Sequence, residues 1–159
     1  MTRLSVFHES ATTIRRAVES DVSAVRDLTC AAYEKWIPVI GRMPMPMLAD
    51  YDKAVREHWI DLLFQGEDLA ALIETKCEAD HLLIVNVAVR PSFQKRGLGR
   101  RMLAHAEQLA ASCGLQELRL YTSKLYTVNI ALYSRLGYAS DREEPFKGNF
   151  IVYMSKRIG

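Results

Sequence analysis

Hydrophobic positions change period several times along the chain, and each change marks a predicted element. TTIRRA, residues 12–17, reads as a short strand. Glu19, Ser20 and Asp21 then supply helix-capping residue types, and Val22, Val25, Leu28 and Ala32 recur at helical spacing. From Trp36 to Tyr51 no period survives. WIPVIGRMPMPMLADY is apolar, but Pro38, Pro44 and Pro46 lack backbone donors and Gly41 interrupts, which predicts a long irregular connection. EHWIDLLFQ (57–65), DLAALIET (68–75) and HLLIVNVAV (81–89) follow as strand-like runs with short polar links, the pattern of an antiparallel meander.

Residues 97–113 carry the clearest helical period, with Leu98, Met102, Leu103, Ala106, Leu109 and Ala110 on one side and Gly114 placed as a C-terminal cap. ELRLYTS (117–123) alternates as a strand, and a second helix is predicted over about Thr127–Leu136, ended by Gly137. YASDREEPF (138–146) and NFIVYMSKR (149–157) close the chain as strands. Strands alternating with helices, without a repeat, predict an α/β domain built on a mixed sheet.

Composition narrows the class. A chain of 159 residues fits one domain. Its 49% apolar and 25% charged residues match the averages of soluble globular domains, about 45–50% and about 25%, which excludes disordered and fibrous classes. No apolar run approaches the roughly 18 residues of a membrane span, and MTRLSVFHESATT lacks the apolar core of a signal peptide, so a cytoplasmic protein is expected. Cys30, Cys77 and Cys113 are scattered and odd in number, which suggests neither a disulfide framework nor zinc; each is expected as a small buried residue. His8, His58, His81 and His105 contain no i, i+4 pair, and no metal is expected. A net charge of +2 is too small to mark a nucleic-acid binder.

Charge matters locally instead. In NVAVRPSFQKRGLGRRML (86–103), Lys95, Arg96, Arg100 and Arg101 surround Gly97 and Gly99 where a strand gives way to a helix. A helix N-terminus is already positive and favours acidic residues, so clustered cations there call for a bound anion. The glycines let the backbone come close to a ligand, and the free N–H groups with the helix dipole make a phosphate cradle. No stretch supplies the Walker pattern, and the third glycine of a dinucleotide fingerprint is replaced by Met102.

The pattern that fits is VAV, a short link, and Gln94-x-x-Gly97-x-Gly99 opening a helix, followed downstream by NIALYSRLGY (129–138). Together these resemble the two signatures of the GCN5-related N-acetyltransferase (GNAT) superfamily, firmly over residues 82–138 and less closely back to Thr12. The resemblance implies a single acetyltransferase domain over residues 12–159 after an extension, residues 1–11. It further implies a mixed, mostly antiparallel sheet of six to seven strands flanked by about four helices. It also implies acetyl-CoA as cosubstrate, with Val87 and Val89 offering backbone groups to the pantetheine arm. Gln94, Lys95, Arg96, Gly97, Leu98, Gly99 and Arg100 match the pyrophosphate loop, mainly through backbone N–H groups. Asn129 matches the residue that steadies the cosubstrate, and Tyr133 the phenol beside the thioester sulfur.

The implied chemistry is direct attack of a neutral amine, on a small molecule or peptide, on the thioester in a ternary complex. Tyr133, with a pKa near ~10, stays protonated and can donate to a thiolate of pKa about 8.5. Relatives often carry a glutamate just before VAV, where this chain has Leu83, Ile84, Val85 and Asn86. Asn86 can position a water, or Glu34 or Glu74 can enter the pocket; the base stays unassigned. The methionine-rich connection is expected to wall the acceptor pocket, Tyr138 to be structural, and Arg15 and Arg16 to be exposed without a role. A homodimer is left open. The rival reading is a coenzyme A-binding sensor that has kept the cradle and lost the chemistry.

Overall fold

The computed structural model describes residues 11–159. Its elements run β1 (Thr12–Arg16), α1 (Val22–Tyr33), α2 (Ile37–Ile40), α3 (Met45–Leu48), α4 (Tyr51–Glu57), β2 (Trp59–Gln65), β3 (Asp68–Cys77) and β4 (Leu82–Val89). They continue with α5 (Leu98–Ser112), β5 (Glu117–Ser123), α6 (Thr127–Arg135), β6 (Ala139–Phe146) and β7 (Asn149–Arg157). The seven strands form one mixed, mostly antiparallel sheet in the order β1-β2-β3-β4-β5-β7-β6, within the expected six to seven strands. Only β4 and β5 run parallel, because α5 crosses back over the sheet between them.

Two apolar layers clamp the sheet. α5 lays Met102, Leu103, Ala106 and Ala110, its predicted face, over Ile73, Leu82, Ile84 and Leu118. On the opposite face α1 and α4 bury Val25, Leu28, Tyr51 and Ala54 against Ile60, Leu62, Leu72 and Ala88. Full burial of one leucine such as Leu28 contributes about 1.5–3 kcal/mol, so each layer is held by many comparable increments.

A single extra residue in β4 shapes the site. Thr75 pairs with Ile84 and Glu74 with Asn86, which leaves Val85 without an opposite residue, a β-bulge. Side chains exchange faces across it: Ile84 points into the α5 layer, whereas Ala88 and Asn86 lie on the α1–α4 side. The bulge also coincides with the end of pairing to β5. The pairs are Leu82↔Leu118, Leu83↔Arg119 and Ile84↔Leu120, and beyond them the two strands separate.

The structure differs from the sequence reading between Trp36 and His58. The expected irregular connection contains α2, α3 and the start of α4. Pro38 and Pro46 occupy the first turns of α2 and α3, where a missing N–H has no intrahelical partner to lose, and Gly41 at φ +75° ends α2. Asp50 caps α4 by accepting from the Lys53 N–H at 3.1 Å. The strand expected from residue 57 therefore begins at Trp59, with Glu57 closing α4 and His58 capping it. The helices α1, α5 and α6 are those expected, and with α4 they make four helices of seven residues or more among the described residues; α2 and α3 add one turn each.

The cysteines also differ. Cys77 and Cys113 are exposed and Cys30 is half-buried, because Cys77 ends β3 and Cys113 caps α5, where side chains leave the core. Of the expected extension only Ala11 is described, its carbonyl accepting from the Gly66 N–H at 2.9 Å; residues 1–10 lie outside the described residues. Among the described residues no helix is long and apolar enough to cross a membrane.

Candidate active site

Past the bulge, successive residues of β4 turn their backbone groups alternately to β3 and to the gap that opens toward β5. The Arg90 N–H donates to the Ala70 carbonyl at 2.8 Å, on the β3 side, so Val87 and Val89 face the gap. Their carbonyls are engaged by side chains: the Tyr33 hydroxyl donates to Val87 O at 3.4 Å and Gln94 Nε2 to Val89 O at 3.1 Å. The Val87 and Val89 N–H groups share that edge, where an extended ligand arm can add as a strand adds to a sheet. Gln94 accepts at its other end from Lys35 Nζ at 3.3 Å, and its own N–H donates to the Pro91 carbonyl at 3.3 Å, so this residue holds the turn from both side chain and backbone.

The turn after β4 is wound for anion binding. Lys95 at φ +65° and Gly97 at φ +79° take left-handed conformations, which point successive amides outward. The Gly97 carbonyl accepts from the Arg101 N–H at 3.0 Å, and the amides before Arg101 belong to the unsatisfied first turn of α5. A Cβ at Gly97 would meet nothing within 4 Å, so the space outside the turn is open. A Cβ at Gly99 would lie 3.6 Å from Leu132 and 3.9 Å from Val89, so this glycine brings α6, β4 and the helix start together. Leu98 is buried in the α5 layer and offers only its N–H. Lys95, Arg96, Arg100 and Arg101 are exposed, and among the described residues none of them has a carboxylate partner. These residues fit a pyrophosphate: cations and amides converge with no protein anion to neutralise them.

On the α1–α4 side of the gap lies a buried polar cluster. Asn86 Nδ2 donates to Thr29 Oγ1 at 3.3 Å and to the Tyr51 hydroxyl oxygen at 3.4 Å. Tyr51 donates its only proton to Pro46 O at 2.7 Å, so its oxygen can only accept, and this fixes the amide orientation of Asn86. Asn86 Oδ1 therefore faces the other way, buried and without a donor among the described residues. Opposite Asn86 on β3 stands Glu74, 3% exposed, with Oε2 2.6 Å from His58 Nδ1.

Tyr133 and Asn129 stand four residues apart on α6 and so share a face. Tyr133 is buried against Tyr138 in the α5 layer, and burial pushes its phenol up to about 12. Tyr33 sits between the two layers. Burial raises its pKa most, and the phenols of Tyr133, Tyr126 and Tyr51 and the Glu74 carboxylate are near enough to raise it further. The gap edge and Tyr133 thus meet at Tyr33, with Asn86 and Glu74 approaching from the other face. Glu34 is exposed at the end of α1, apart from this cluster.

Sequence reasoning left Tyr33, Tyr51 and His58 unassigned, and no local pattern marks them. Glu74 did leave a trace, as a carboxylate inside the apolar run LAALIET.

Comparison with known proteins identifies the family. Residues 23–138 match the Acetyltransferase (GNAT) family, and the chain belongs to that family. The ribosomal protein bS18-alanine N-acetyltransferase of Salmonella typhimurium is 35% identical over 83 residues, 52% of this chain and 56% of the relative. The chain thus spans about half the length of the curated relatives it matches. Among solved structures, the PaiA N-acetyltransferase of Thermoplasma acidophilum in complex with coenzyme A superposes with a TM-score of 0.79 at 17% identity, over 92% of this chain and 99% of that one. The ribosomal-protein-alanine N-acetyltransferase of Escherichia coli superposes with a TM-score of 0.76 at 22% identity, over 93% and 94%.

Proposed function

We propose that the protein transfers the acetyl group of acetyl-CoA to a primary amine by direct attack in a ternary complex. The observation that carries this reading is the juxtaposition of a strand edge opened by a bulge with an anion-ready helix start, both beside a buried phenol. Val87 and Val89 hold the pantetheine arm; the amides of residues 95–100, in the turn that Gln94 braces, with Lys95, Arg96 and Arg100, hold the pyrophosphate; Asn129 steadies the cosubstrate. Coenzyme A as leaving group supplies an activated acyl carbon, and the protein's own residues supply donors and a dry site.

Tyr133 is the acid. A phenol near 12 is a weaker acid than one near ~10, but the burial that raises it also raises a thiolate formed beside it. The two shifts largely offset, and Tyr133 remains the donor at neutral pH. A sensor without chemistry has no need of that phenol at the gap.

The acceptor enters from the side walled by α2 and α3, where Met43, Met45 and Leu48 are exposed and Arg42 lies 5.4 Å over the Phe146 ring of the β6–β7 hairpin. This wall favours an acceptor with an apolar portion, and relatives named for alanine of ribosomal protein bS18 and for spermidine support a primary amine. The test is thiol release from acetyl-CoA across a panel of amines and peptides. Tyr133→Phe should lower turnover about 10²–10⁴-fold with little change in acetyl-CoA affinity; wild-type turnover in that variant would remove Tyr133 from the chemistry.

A further inference from the structure

Two carboxylates are buried among the described residues, Asp61 and Glu74, and they are held differently. Both oxygens of Asp61 are occupied, Oδ1 by Arg16 Nε at 2.7 Å and Oδ2 by His105 Nε2 at 3.1 Å. That arrangement is closed. Glu74 has only Oε2 engaged, by His58 Nδ1 at 2.6 Å, and no protein donor among the described residues reaches Oε1. Directly opposite on β4, Asn86 Oδ1 is an acceptor without a donor among the described residues, its orientation fixed by Tyr51. Directly opposed residues of an antiparallel pair place their Cβ atoms about 4.5–5.5 Å apart, so the free oxygen of each side chain can share one water.

We propose that Glu74 is the general base of acetyl transfer, taking the amine proton through a water held on Asn86 Oδ1, and that His58 is a positioning residue for its carboxylate. The inference rests on the acetyltransferase reading and supplies the proton acceptor that reading lacks. A buried acceptor and a half-free buried carboxylate side by side each call for a donor, and a protonated amine or its water satisfies both. His58 is 24% exposed in its side chain; its Nδ1–H engages Oε2 and so restrains the Glu74 carboxylate while leaving Oε1 free. The other titratable groups facing Glu74 are Tyr51 from α4 and Tyr33 from α1.

The protons balance. As the N–C bond forms, the C–S bond breaks and its electron pair goes to sulfur. An acceptor that arrives as an ammonium loses two protons in becoming an amide. One passes through the water to Glu74 Oε1, and the other replaces the proton that Tyr133 gives to sulfur.

The test uses the amine that the wild-type enzyme acetylates best in a panel, with Glu74→Gln and His58→Ala. Glu74→Gln should lower kcat near neutral pH by about 10²–10⁴-fold, with the loss shrinking as pH rises and hydroxide substitutes for the base. Its acetyl-CoA-induced rise in Tm should match the wild type. His58→Ala should lose less, through kcat and not acceptor KM and with an unchanged acetyl-CoA-induced rise in Tm, and recover kcat with added imidazole; a purely structural histidine would move Tm as well. Glu74→Gln with wild-type kcat and pH profile overturns the assignment. If Glu74→Gln does not fold, the imidazole response decides: recovery supports the dyad and none overturns it. A wild-type protein that binds acetyl-CoA and acetylates no amine overturns the acetyltransferase reading, and the base with it.

Discussion

Single residues divide here into those that hold the fold and those that leave something free. Arg16, expected to be exposed without a role, keeps its guanidinium half-exposed over the Trp59 ring at 5.1 Å while anchoring buried Asp61. Burial alone would raise the Asp61 carboxyl; the hydrogen bonds from His105 and Arg16 outweigh it and hold the carboxyl below its ordinary range. A depressed pKa in the folded state means stability that is present above the unfolded value, about 3.9, and lost as pH falls through the folded one. Urea titrations should therefore show wild-type stability falling below about pH 4. Asp61→Asn should be less stable at pH 7 by about 1.5–3 kcal/mol and flatter through that acid range. Gly97→Asp acts on the ligand instead. Its carboxylate would stand in open space at the anion site, on a backbone at φ +79° that L side chains rarely adopt. The acetyl-CoA-induced rise in Tm should vanish in that variant, and an unchanged rise would reject the cradle.

Elements that follow one period were readable from the chain, and elements set by end chemistry were not. α5, β4 and the turn between them lie contiguous in sequence, so both the glycine pattern and the apolar face of Met102, Ala106 and Ala110 could be seen locally. α2 and α3 have four residues each, too short for a period, and their prolines read as breakers until the structure showed them in first turns. The cluster of Tyr51, Thr29, Asn86 and Glu74 joins α4, α1, β4 and β3, so only tertiary packing assembles it. The segment from α2 to α3 remains the most testable element. Replacing residues 42–47 with Gly and Ser removes Arg42, Met43, Met45 and Met47 and the contact to Phe146. Acceptor KM should rise strongly while acetyl-CoA binding stays nearly intact; unchanged acceptor kinetics would make the segment a mere connection.

At the scale of the whole molecule, a ligand that binds only the folded state stabilises it by mass action. Acetyl-CoA at 100 times its Kd should add about 2.7 kcal/mol, a rise of roughly 5–11 °C in Tm for a chain of this size. Pantetheine lacking the adenosine diphosphate portion should give much less, because the cradle anchors the pyrophosphate. The separation of β4 from β5 reaches further than binding. β1-β2-β3-β4 and β5-β7-β6 are two leaves, stitched along the sheet by three residue pairs and bound at the spine by α5. An arm laid along Val87 and Val89 fills the place of a missing strand. The cosubstrate then acts as stitching as well as reagent, and amides of the far leaf, in β5 and β7, should exchange their hydrogens more slowly once it is bound, although it touches few of them.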